Sequence, residues 1–150
     1  MRFGSDKGLF EFKEKPFISY LLDTLTQIDY NIFIIANSKQ QIADYIEKIK
    51  YELITAFIID DQEIFLDQRI HTPMLGLYSA FKELNFLGYK KVLVLSCDSP
   101  LIKKEVIEFL IKESKQFDCC IPKWDNGFLE PLLAIYPIKK ALIRAEENLK

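Results

Sequence analysis

Several short polar segments of this chain have the side chains that phosphate binding requires. The first is residues 2–8, Arg-Phe-Gly-Ser-Asp-Lys-Gly, with two cations, two glycines and small polar residues. A loop of this composition presents backbone N–H groups and positive charge to phosphate oxygens, so Arg2 and Lys7 are candidate phosphate ligands. A solvated basic terminus is the alternative interpretation, because chain termini are commonly disordered.

Carboxylates directly follow two apolar runs that have the composition of strands. Asp98 comes after the run at 92–95, and Asp60 and Asp61 come after the run at 56–59. Open α/β sheets bind their ligands outside the carboxyl ends of their strands, so these acids are expected at one rim. There Asp98 could hold Mg²⁺ against a triphosphate. The alternative role is a helix N-cap or a turn for Asp98, and a turn for Asp60 and Asp61.

Two proline-containing segments complete the set of candidates. Pro73 is placed near the first turn of a predicted helix that includes Gly76, and such a helix end offers free N–H groups to an anion or a base edge. Glu130 and Pro131 are predicted in a strand after a hairpin. Because proline cannot donate to the strand ladder, Pro131 indicates an edge or a bulge there.

The elements that must position these residues are those of an α/β domain. Short β-rich apolar runs alternate with stretches of helical period, which is typical of a mainly parallel sheet with helices. The densest β-branched run, at 92–95, predicts a buried central strand. Residues 60–73 lack a clear period and are a candidate site wall. Strands are predicted at 9–13, 32–36, 56–59, 91–96, 119–122 and 129–136, with helices at 17–28, 42–49, 74–86, 106–111 and 139–149.

The length, composition and net charge limit the class of protein to which the chain can belong. A chain of 150 residues that is 49% apolar and 28% charged fits one soluble globular domain. The net charge of −2, with basic and acidic residues interspersed, provides no broad positive field for a nucleic acid. No apolar run approaches the roughly 20 residues that span a bilayer, and residues 1–8 show no export signal, so the expected compartment is the cytoplasm.

The cysteines do not indicate a metal site or a disulfide framework. Cys97, Cys119 and Cys120 lack CxxC spacing, and His71 is the only histidine. An odd number of cysteines without metal-ligand spacing is typical of reduced thiols that pack as small core residues. Reactive-thiol chemistry is the alternative.

Taken in order, the motifs resemble those of the molybdenum cofactor guanylyltransferase family, within the Rossmann-like nucleotidyltransferases. Residues 2–7 match the end of the family's Arg-Met/Phe-Gly-x-Asp-Lys segment, and the match continues at 8–9 and 15–16. Asn37 and Asp61 resemble the Asn and Asp after the family's second and third strands. Three further segments are similar to the family's Gly-Pro-Leu-x-Gly turn, its Cys/Gly-Asp-x-Pro metal motif and its acceptor-facing segment, and they lie at 73–76, 97–100 and 130–132.

The resemblance implies a Rossmann-like three-layer α/β/α sandwich with a mostly parallel sheet, of the nucleotide-diphospho-sugar transferase type. It implies GMP transfer from GTP to the phosphate of molybdenum-carrying molybdopterin, with Mg²⁺ as cofactor and pyrophosphate as the other product. Its site residues would be Lys7 on the α- and β-phosphates, Arg2 on the leaving pyrophosphate, Asp98 on Mg²⁺, Asn37, Asp61, Pro73 and Gly76 on the nucleotide, and Glu130 and Pro131 on the acceptor.

Two departures from the family pattern accompany the resemblance. The first strand and the Leu-Ala-Gly-Gly turn that open the family's sequences are absent, as is a C-terminal segment, which predicts a single domain truncated at the N-terminus. Because strand one lies centrally in such a sheet, its loss would expose the edges of both neighbouring strands. Another nucleotide and acceptor pair, such as CTP with the pterin or a sugar or lipid phosphate, and a non-catalytic remnant domain are the alternative functions; weak self-association is left open.

Overall fold

Helices and strands alternate along the part of the chain that this computed structural model describes, namely residues 6–49, 51–60 and 73–149. The strands are β1 (Glu11–Phe12), β2 (Lys15–Pro16), β3 (Phe33–Ala36), β4 (Ala56–Ile59), β5 (Lys91–Leu95) and β6 (Leu133–Pro137). The helices are α1 (Phe17–Leu25), α2 (Lys39–Lys48), α3 (Pro73–Phe86), α4 (Lys104–Glu113) and α5 (Ile138–Asn148), with a 3₁₀ turn at Tyr51–Leu53.

The described strands associate in three pairs. β3 and β4 are parallel, with Phe33 opposite Ala56, whereas β5 and β6 are antiparallel, with Leu93 opposite Ile135. β1 and β2 form a small antiparallel hairpin. Parallel strands need a crossover connection, and α2 provides it between β3 and β4.

Two apolar cores lie on opposite faces of these strands. One core contains α3 and α5 and takes Phe33, Val92 and Val94 from the strands. The other contains α1 and α2 and takes Ile34 from β3. Neighbouring strand residues point to opposite faces, so the assignment of Phe33 and Ile34 to different cores places helices on both sides of the strands. The α/β/α three-layer arrangement expected from the sequence is therefore confirmed.

β3 and β5 run in the same direction although they are not paired with each other. At their amino ends, the Asn31 amide donates to the Tyr89 hydroxyl at 2.7 Å, and the rings of Phe33 and Tyr89 are 5.5 Å apart. At their carboxyl ends, both approach the segment that contains Lys7, as described below. This shared rim is where the candidate site residues collect.

The start of α2 is fixed by a reciprocal cap between Ser38 and Gln41. The Ser38 hydroxyl accepts from the backbone N–H of Gln41 at 3.1 Å, and the Gln41 side-chain oxygen accepts from the backbone N–H of Asn37 at 2.7 Å. Caps of this kind satisfy donors that the first helical turn leaves unpaired and stabilise by about 1 kcal/mol. The cap therefore fixes where the chain turns at the end of β3.

Some predicted elements were wrong in extent. Residues 119–122 contribute one bridge, in which Cys120 and Ile135 exchange backbone hydrogen bonds, rather than a strand. The predicted strand at 129–136 begins only at Leu133, because Pro131, which has no N–H to donate, lies in a turn before β6. Helix α1 ends at Leu25 rather than at residue 28.

The burial predicted for the apolar run at 92–95 was also wrong. These residues form β5, as expected, but their side chains are only partly buried. β5 pairs with β6 along one edge, and its other edge faces a cavity. A strand reaches full burial only when both neighbours are present, which explains the difference.

Within the described residues, every helix is too short or too polar to cross a bilayer.

Candidate active site

Lys7 and Asp98 meet at the rim where β3 and β5 end. The Lys7 ammonium donates to Asp98 Oδ2 at 3.2 Å, although the two residues are 91 positions apart in the chain. Both side chains remain accessible, Lys7 being 54% and Asp98 44% exposed. The rim thus presents a cation and a carboxylate side by side to solvent.

The loop that carries Lys7 is anchored through the neighbouring carboxylate of Asp6. Asp6 Oδ1 accepts from the backbone N–H of Gly8 at 2.8 Å and from the Tyr45 hydroxyl at 3.2 Å. Asp6 Oδ2 accepts from the Gln41 side-chain amide. Three donors from the loop and from α2 therefore hold Asp6, which fixes the backbone from which Lys7 reaches Asp98.

Asp98 is kept ionised by its neighbours. The Ser96 hydroxyl donates to Asp98 Oδ1, and this bond, followed by the bond and charge of Lys7, lowers the pKa of Asp98 below its ordinary value. A carboxylate with a lowered pKa is fully charged at neutral pH. Asp98 is therefore a hard anionic oxygen ligand at the end of β5.

A partly buried thiol and a buried hydroxyl lie beneath this rim, and neither is ionised at neutral pH. Burial, followed by the negative charges of Asp98 and Asp6, raises the pKa of the Cys97 thiol. Burial, followed by the charge of Asp6, raises the pKa of the Tyr45 hydroxyl. The dependence on these charges shows that Asp6, Tyr45, Cys97 and Asp98 belong to one electrostatic neighbourhood.

A second acidic group lies at the end of β4. The Ser79 hydroxyl of α3 donates to Asp60 Oδ1 at 3.1 Å. A Cβ atom at Gly76 would lie 4.0 Å from Asp60 Oδ2 and 3.5 Å from the Ile35 side chain. Pro73 and Gly76 lie in the first turns of α3, as the sequence predicted, and the contacts of Gly76 place this helix start beside the carboxyl ends of β3 and β4.

The segment around Glu130 reaches the same rim from the far side of β5. The backbone N–H of Ser96 donates to the carbonyl of Leu132 at 2.9 Å, so residues 130–132 lie beside the start of the Asp98 turn. Glu130 accepts a hydrogen bond from the Trp124 indole at 2.6 Å. Glu130 and Pro131 lie in the approach to β6 rather than within a strand, which corrects their predicted setting.

Of the remaining candidates, one lies within the described residues and two lie outside them. Asn37 directly follows β3, and its backbone N–H is engaged by Gln41 at the start of α2. Arg2 and Asp61 lie outside the residues that the structure describes, so their positions stay predictions.

Asp98 is a carboxylate that a magnesium ion could use as a ligand. No cluster of three or more potential protein ligands occurs within the described ranges. Mg²⁺ is usually bound through one or two carboxylates, with substrate phosphates and water completing the octahedron. An exposed, ionised Asp98 at a strand end provides one such carboxylate, and a complete protein cage is not required.

Sequence reasoning missed the residues that support this site. Asp6 was included only as part of the 2–7 motif, and Gln41 and Tyr45 were not among the candidates. Their shared hydrogen bonds join residues 6 and 45, which no local pattern connects. The one signal in the sequence was the glycine at position 8, directly after Lys7. The structure explains it, because a Cβ atom at Gly8 would lie 2.7 Å from the Tyr45 hydroxyl.

The three-layer arrangement of helices on both faces of the strands places the chain in the class of Rossmann-like α/β proteins. The model of the MobA-like NTP transferase domain matches residues 1–150. The chain therefore belongs to the MobA-like NTP transferase family.

Relatives of known name agree with this assignment. A protein of Pyrococcus horikoshii named "Probable molybdenum cofactor guanylyltransferase" is 37% identical over 139 residues, covering 90% of this chain and 62% of that protein. One of Thermococcus gammatolerans with the same name is 34% identical, covering 90% of this chain and 63% of its own length. This chain thus spans less than two thirds of the length of these relatives.

A solved structure has the same fold. The crystal structure of molybdopterin-guanine dinucleotide biosynthesis protein A from Archaeoglobus fulgidus superposes with a TM-score of 0.69 at 26% sequence identity. The match covers 98% of this chain and 68% of that one. The described helices and strands therefore correspond to an established nucleotidyltransferase-like architecture.

Proposed function

We propose that this chain provides the catalytic site of a nucleotidyltransferase that moves GMP from GTP to the phosphate of molybdenum-carrying molybdopterin. The products are pyrophosphate and a guanine dinucleotide cofactor. The observation that carries the proposal is the 3.2 Å contact between the Lys7 ammonium and Asp98 at the rim of the sheet. The names of the relatives support the choice of nucleotide and acceptor.

The reaction is a displacement at the α-phosphorus of GTP. An oxygen of the acceptor phosphate forms a bond to that phosphorus, the bond to the bridging oxygen of the β-phosphate breaks, and pyrophosphate leaves with the electron pair. Such a step depends on alignment and on neutralisation of charge, and it requires no covalent enzyme intermediate. A site with cations and carboxylates but no activated nucleophile fits this chemistry.

Lys7 acts as the charge that binds the α- and β-phosphates. In the structure it is paired with Asp98, so this ion pair must separate before both groups reach the nucleotide. An ion pair between exposed side chains contributes only about 0–1 kcal/mol, because solvent screens it. Separating Lys7 from Asp98 therefore costs little free energy. Until the triphosphate binds, the ion pair keeps the two side chains next to each other.

Asp98 is the residue that would hold Mg²⁺. The metal, when bound, would withdraw charge from the phosphate oxygens and favour the departure of pyrophosphate. The hydrogen bond from Ser96 orients the carboxylate for this role and keeps its pKa low.

The remaining candidates are assigned by their positions around the same rim. Asn37 and the start of α3, with Pro73 and Gly76, border the side on which the base and ribose would lie. Glu130 and Pro131 border the opposite side, where the acceptor would enter. Arg2 is assigned to the leaving pyrophosphate and Asp61 to the nucleotide on the resemblance alone.

The proposal is tested by incubating the purified chain with GTP, Mg²⁺ and molybdenum-carrying molybdopterin and measuring dinucleotide formation by mass spectrometry. Lys7→Ala and Asp98→Asn are each expected to lower the rate by about 10²–10³, as for removal of one preorganised charge contact. The control is Lys140→Ala, which removes a more exposed ion pair, with Asp118, elsewhere on the surface.

Full dinucleotide formation by either rim variant would show that Lys7 and Asp98 do not form the site. Replacing GTP by CTP distinguishes the two bases, and preference for CTP would overturn the guanylyl assignment. Isothermal titration with GTP and Mg²⁺ distinguishes an enzyme from a non-catalytic remnant, since a folded remnant would give no binding heat.

A further inference from the structure

A small hairpin with large aromatic side chains lies between α4 and β6. The backbone N–H of Trp124 donates to the carbonyl of Phe128 at 2.8 Å, and the backbone N–H of Glu130 donates to the carbonyl of Pro122 at 2.9 Å. A bridge between Lys123 and Leu129 lies between these two bonds. Residues 122–130 are here called the aromatic hairpin.

The path of the chain carries the aromatic hairpin beyond the carboxyl end of β5. The backbone N–H and C=O of Ile135 in β6 both bond to Cys120, in an antiparallel bridge, so Cys120 lies on the edge of β6 that faces away from β5. Because β6 is itself antiparallel to β5, the chain at Cys120 runs in the direction of β5. Ile135 is opposite Leu93, close to the end of β5, so the residues that follow Cys120 project above the rim.

Trp124 and Phe128 are directly opposite each other on one face of the aromatic hairpin. Opposite residues of an antiparallel pair share a face, and so do residues two positions apart in one strand. One face therefore carries Pro122, Trp124, Phe128 and Glu130, and the other carries Lys123 and Leu129. The 2.6 Å hydrogen bond from the Trp124 indole to Glu130 agrees with this assignment, since it joins two side chains of the first face.

The two aromatic side chains are open to solvent. Trp124 is 60% exposed and Phe128 is 73% exposed. The indole N–H already has an acceptor in Glu130, so a ligand would use the flat face of the ring rather than its polar edge. Exposed aromatic rings of this kind bind flat heteroaromatic rings by stacking. The aromatic hairpin thus has the chemistry of a stacking surface.

The aromatic hairpin lies on the acceptor side of the proposed active site. The nucleotide is assigned to the side of β3 and the start of α3, whereas β6 and the aromatic hairpin lie on the other side of β5. The backbone bond from Ser96 to Leu132 connects the base of the aromatic hairpin to the turn that carries Asp98. An acceptor whose phosphate reaches the rim would therefore have the rest of its structure beside Trp124 and Phe128.

We propose that Trp124 and Phe128 stack on the flat pterin ring of the acceptor, and that Glu130 is a positioning residue that holds the indole rather than a ligand of the acceptor. A carboxylate would repel the acceptor phosphate, whereas its bond to the indole fixes the plane of that ring. This inference rests on the proposed function. It implies selection against sugar and lipid phosphates, which have no flat ring to stack.

The binding test uses the indole of Trp124, which is the only tryptophan of the chain and so gives a single indole N–H resonance in NMR spectra. The probe is hydroxymethylpterin phosphate, a stable pterin with a phosphate ester. Titration with the probe is expected to shift this resonance until binding saturates. Glycerol phosphate, which has the phosphate but no ring, should leave the resonance in place.

Substitutions on the two faces of the aromatic hairpin provide the matched comparison. Trp124→Ala and Phe128→Ala should each weaken binding of the probe about tenfold in calorimetry, as for loss of one aromatic stacking partner. Leu129→Ala is the control, because Leu129 is 54% exposed on the opposite face, and it should leave the affinity unchanged. If Trp124→Ala fails to fold, Phe128→Ala and the NMR titration of the unaltered chain still decide the question.

The positioning role of Glu130 has its own test. Glu130→Ala removes the acceptor of the indole bond, so it should shift the indole N–H resonance of the free protein and weaken binding of the probe. Glu130→Gln keeps an oxygen that can accept from the indole and should restore the affinity. If Glu130→Gln binds the probe as weakly as Glu130→Ala, the carboxylate contacts the ligand itself, and the positioning role is wrong.

The transfer assay separates this inference from the proposed function. Trp124→Ala should raise the KM for the acceptor about tenfold with kcat unchanged, because stacking binds the ground state and the transition state equally. An unchanged KM in a chain that forms the dinucleotide would overturn the inference and leave the proposed function standing. Binding of the probe through Trp124 without any dinucleotide formation would support the stacking surface and overturn the transfer reaction. An equal shift with glycerol phosphate would also overturn the inference, because the phosphate alone would then account for binding.

Discussion

The Tyr45 hydroxyl occupies the place where a side chain on Gly8 would begin, because a Cβ atom built at Gly8 would lie 2.7 Å from the Tyr45 oxygen. The same hydroxyl donates to Asp6 at 3.2 Å. The loop that carries Lys7 is thus pressed against α2 at one residue and hydrogen-bonded to it at another. The position of Lys7 depends on this close approach.

Gly8→Ala is expected to lower the free energy of unfolding by about 1–3 kcal/mol, as for overpacking in a well-filled site, since either the loop or Tyr45 must move. The measurement is chemical denaturation followed by circular dichroism. Gly76→Ala is the control, because its Cβ would meet only ordinary contacts inside α3. That variant should be stabilised by up to about 1 kcal/mol through helix propensity. Equal effects of the two substitutions would contradict the close approach at Gly8.

Gln41→Ala is expected to destabilise the chain by about 1.5–3 kcal/mol, because Gln41 donates to the charged carboxylate of Asp6 and also caps α2. Gln40→Ala is the matched control. Gln40 precedes it in α2 and donates only to Asp44 one turn later, so its loss should stay within about 0.5 kcal/mol. Gln41→Glu should be at least as destabilising as Gln41→Ala, since it places a second negative charge beside Asp6. Thermal or chemical denaturation measures all three, and a tolerated Gln41→Glu would show that the bond to Asp6 does not form.

Asp98 gives a pH dependence whose sign follows from its lowered pKa. The folded-state pKa lies below the unfolded value of about 3.9, so the stabilisation is fully present above that value and is lost as the pH falls through the folded pKa. The effect is small because Asp98 is 44% exposed. Ser96→Ala removes the largest cause and should move the pKa of Asp98 upward in an NMR titration.

Lys140→Ala provides the comparison for that titration. It should raise the pKa of Asp118, which the Lys140 bond lowers, and leave that of Asp98 unchanged. An Asp98 pKa that does not respond to Ser96→Ala would contradict the hydrogen bond between them.

Cys97 is expected to react slowly with iodoacetamide at pH 7–8. Its thiol is partly buried, and burial together with the charges of Asp98 and Asp6 raises its pKa, so little thiolate is present. Cys119 is exposed and should be alkylated faster, although burial and nearby negative groups also raise its pKa. Peptide mass spectrometry of timed samples measures both rates. Faster labelling of Cys97 than of Cys119 would contradict the packing beneath the rim.

The alternation of helices and strands was predictable because it depends on local periodicity and on capping residues such as Ser38. The meeting of Lys7 and Asp98 was implied by the resemblance, which assigns both residues to one bound nucleotide. The extent of β6 was not, since the turn at Pro131 competes with apolar residues that favour a strand. The burial of β5 was not predictable either, because it is set by whichever chain lies beside it.

The hydrogen bonds by which Asp6, Gln41 and Tyr45 hold the loop that carries Lys7 could not be predicted from the sequence either. Each of these residues has an ordinary local role, and only the folded backbone brings the three together.

The pairing of Lys7 with Asp98 also has a consequence for the order of folding. The two residues are 91 positions apart, so the contact closes a loop of more than half the chain. Closing so long a segment has an entropic cost that only prior assembly of the intervening structure offsets. On the ribosome, Lys7 emerges long before Asp98, so its ammonium cannot pair with this carboxylate until the 91 residues that separate them have been synthesised.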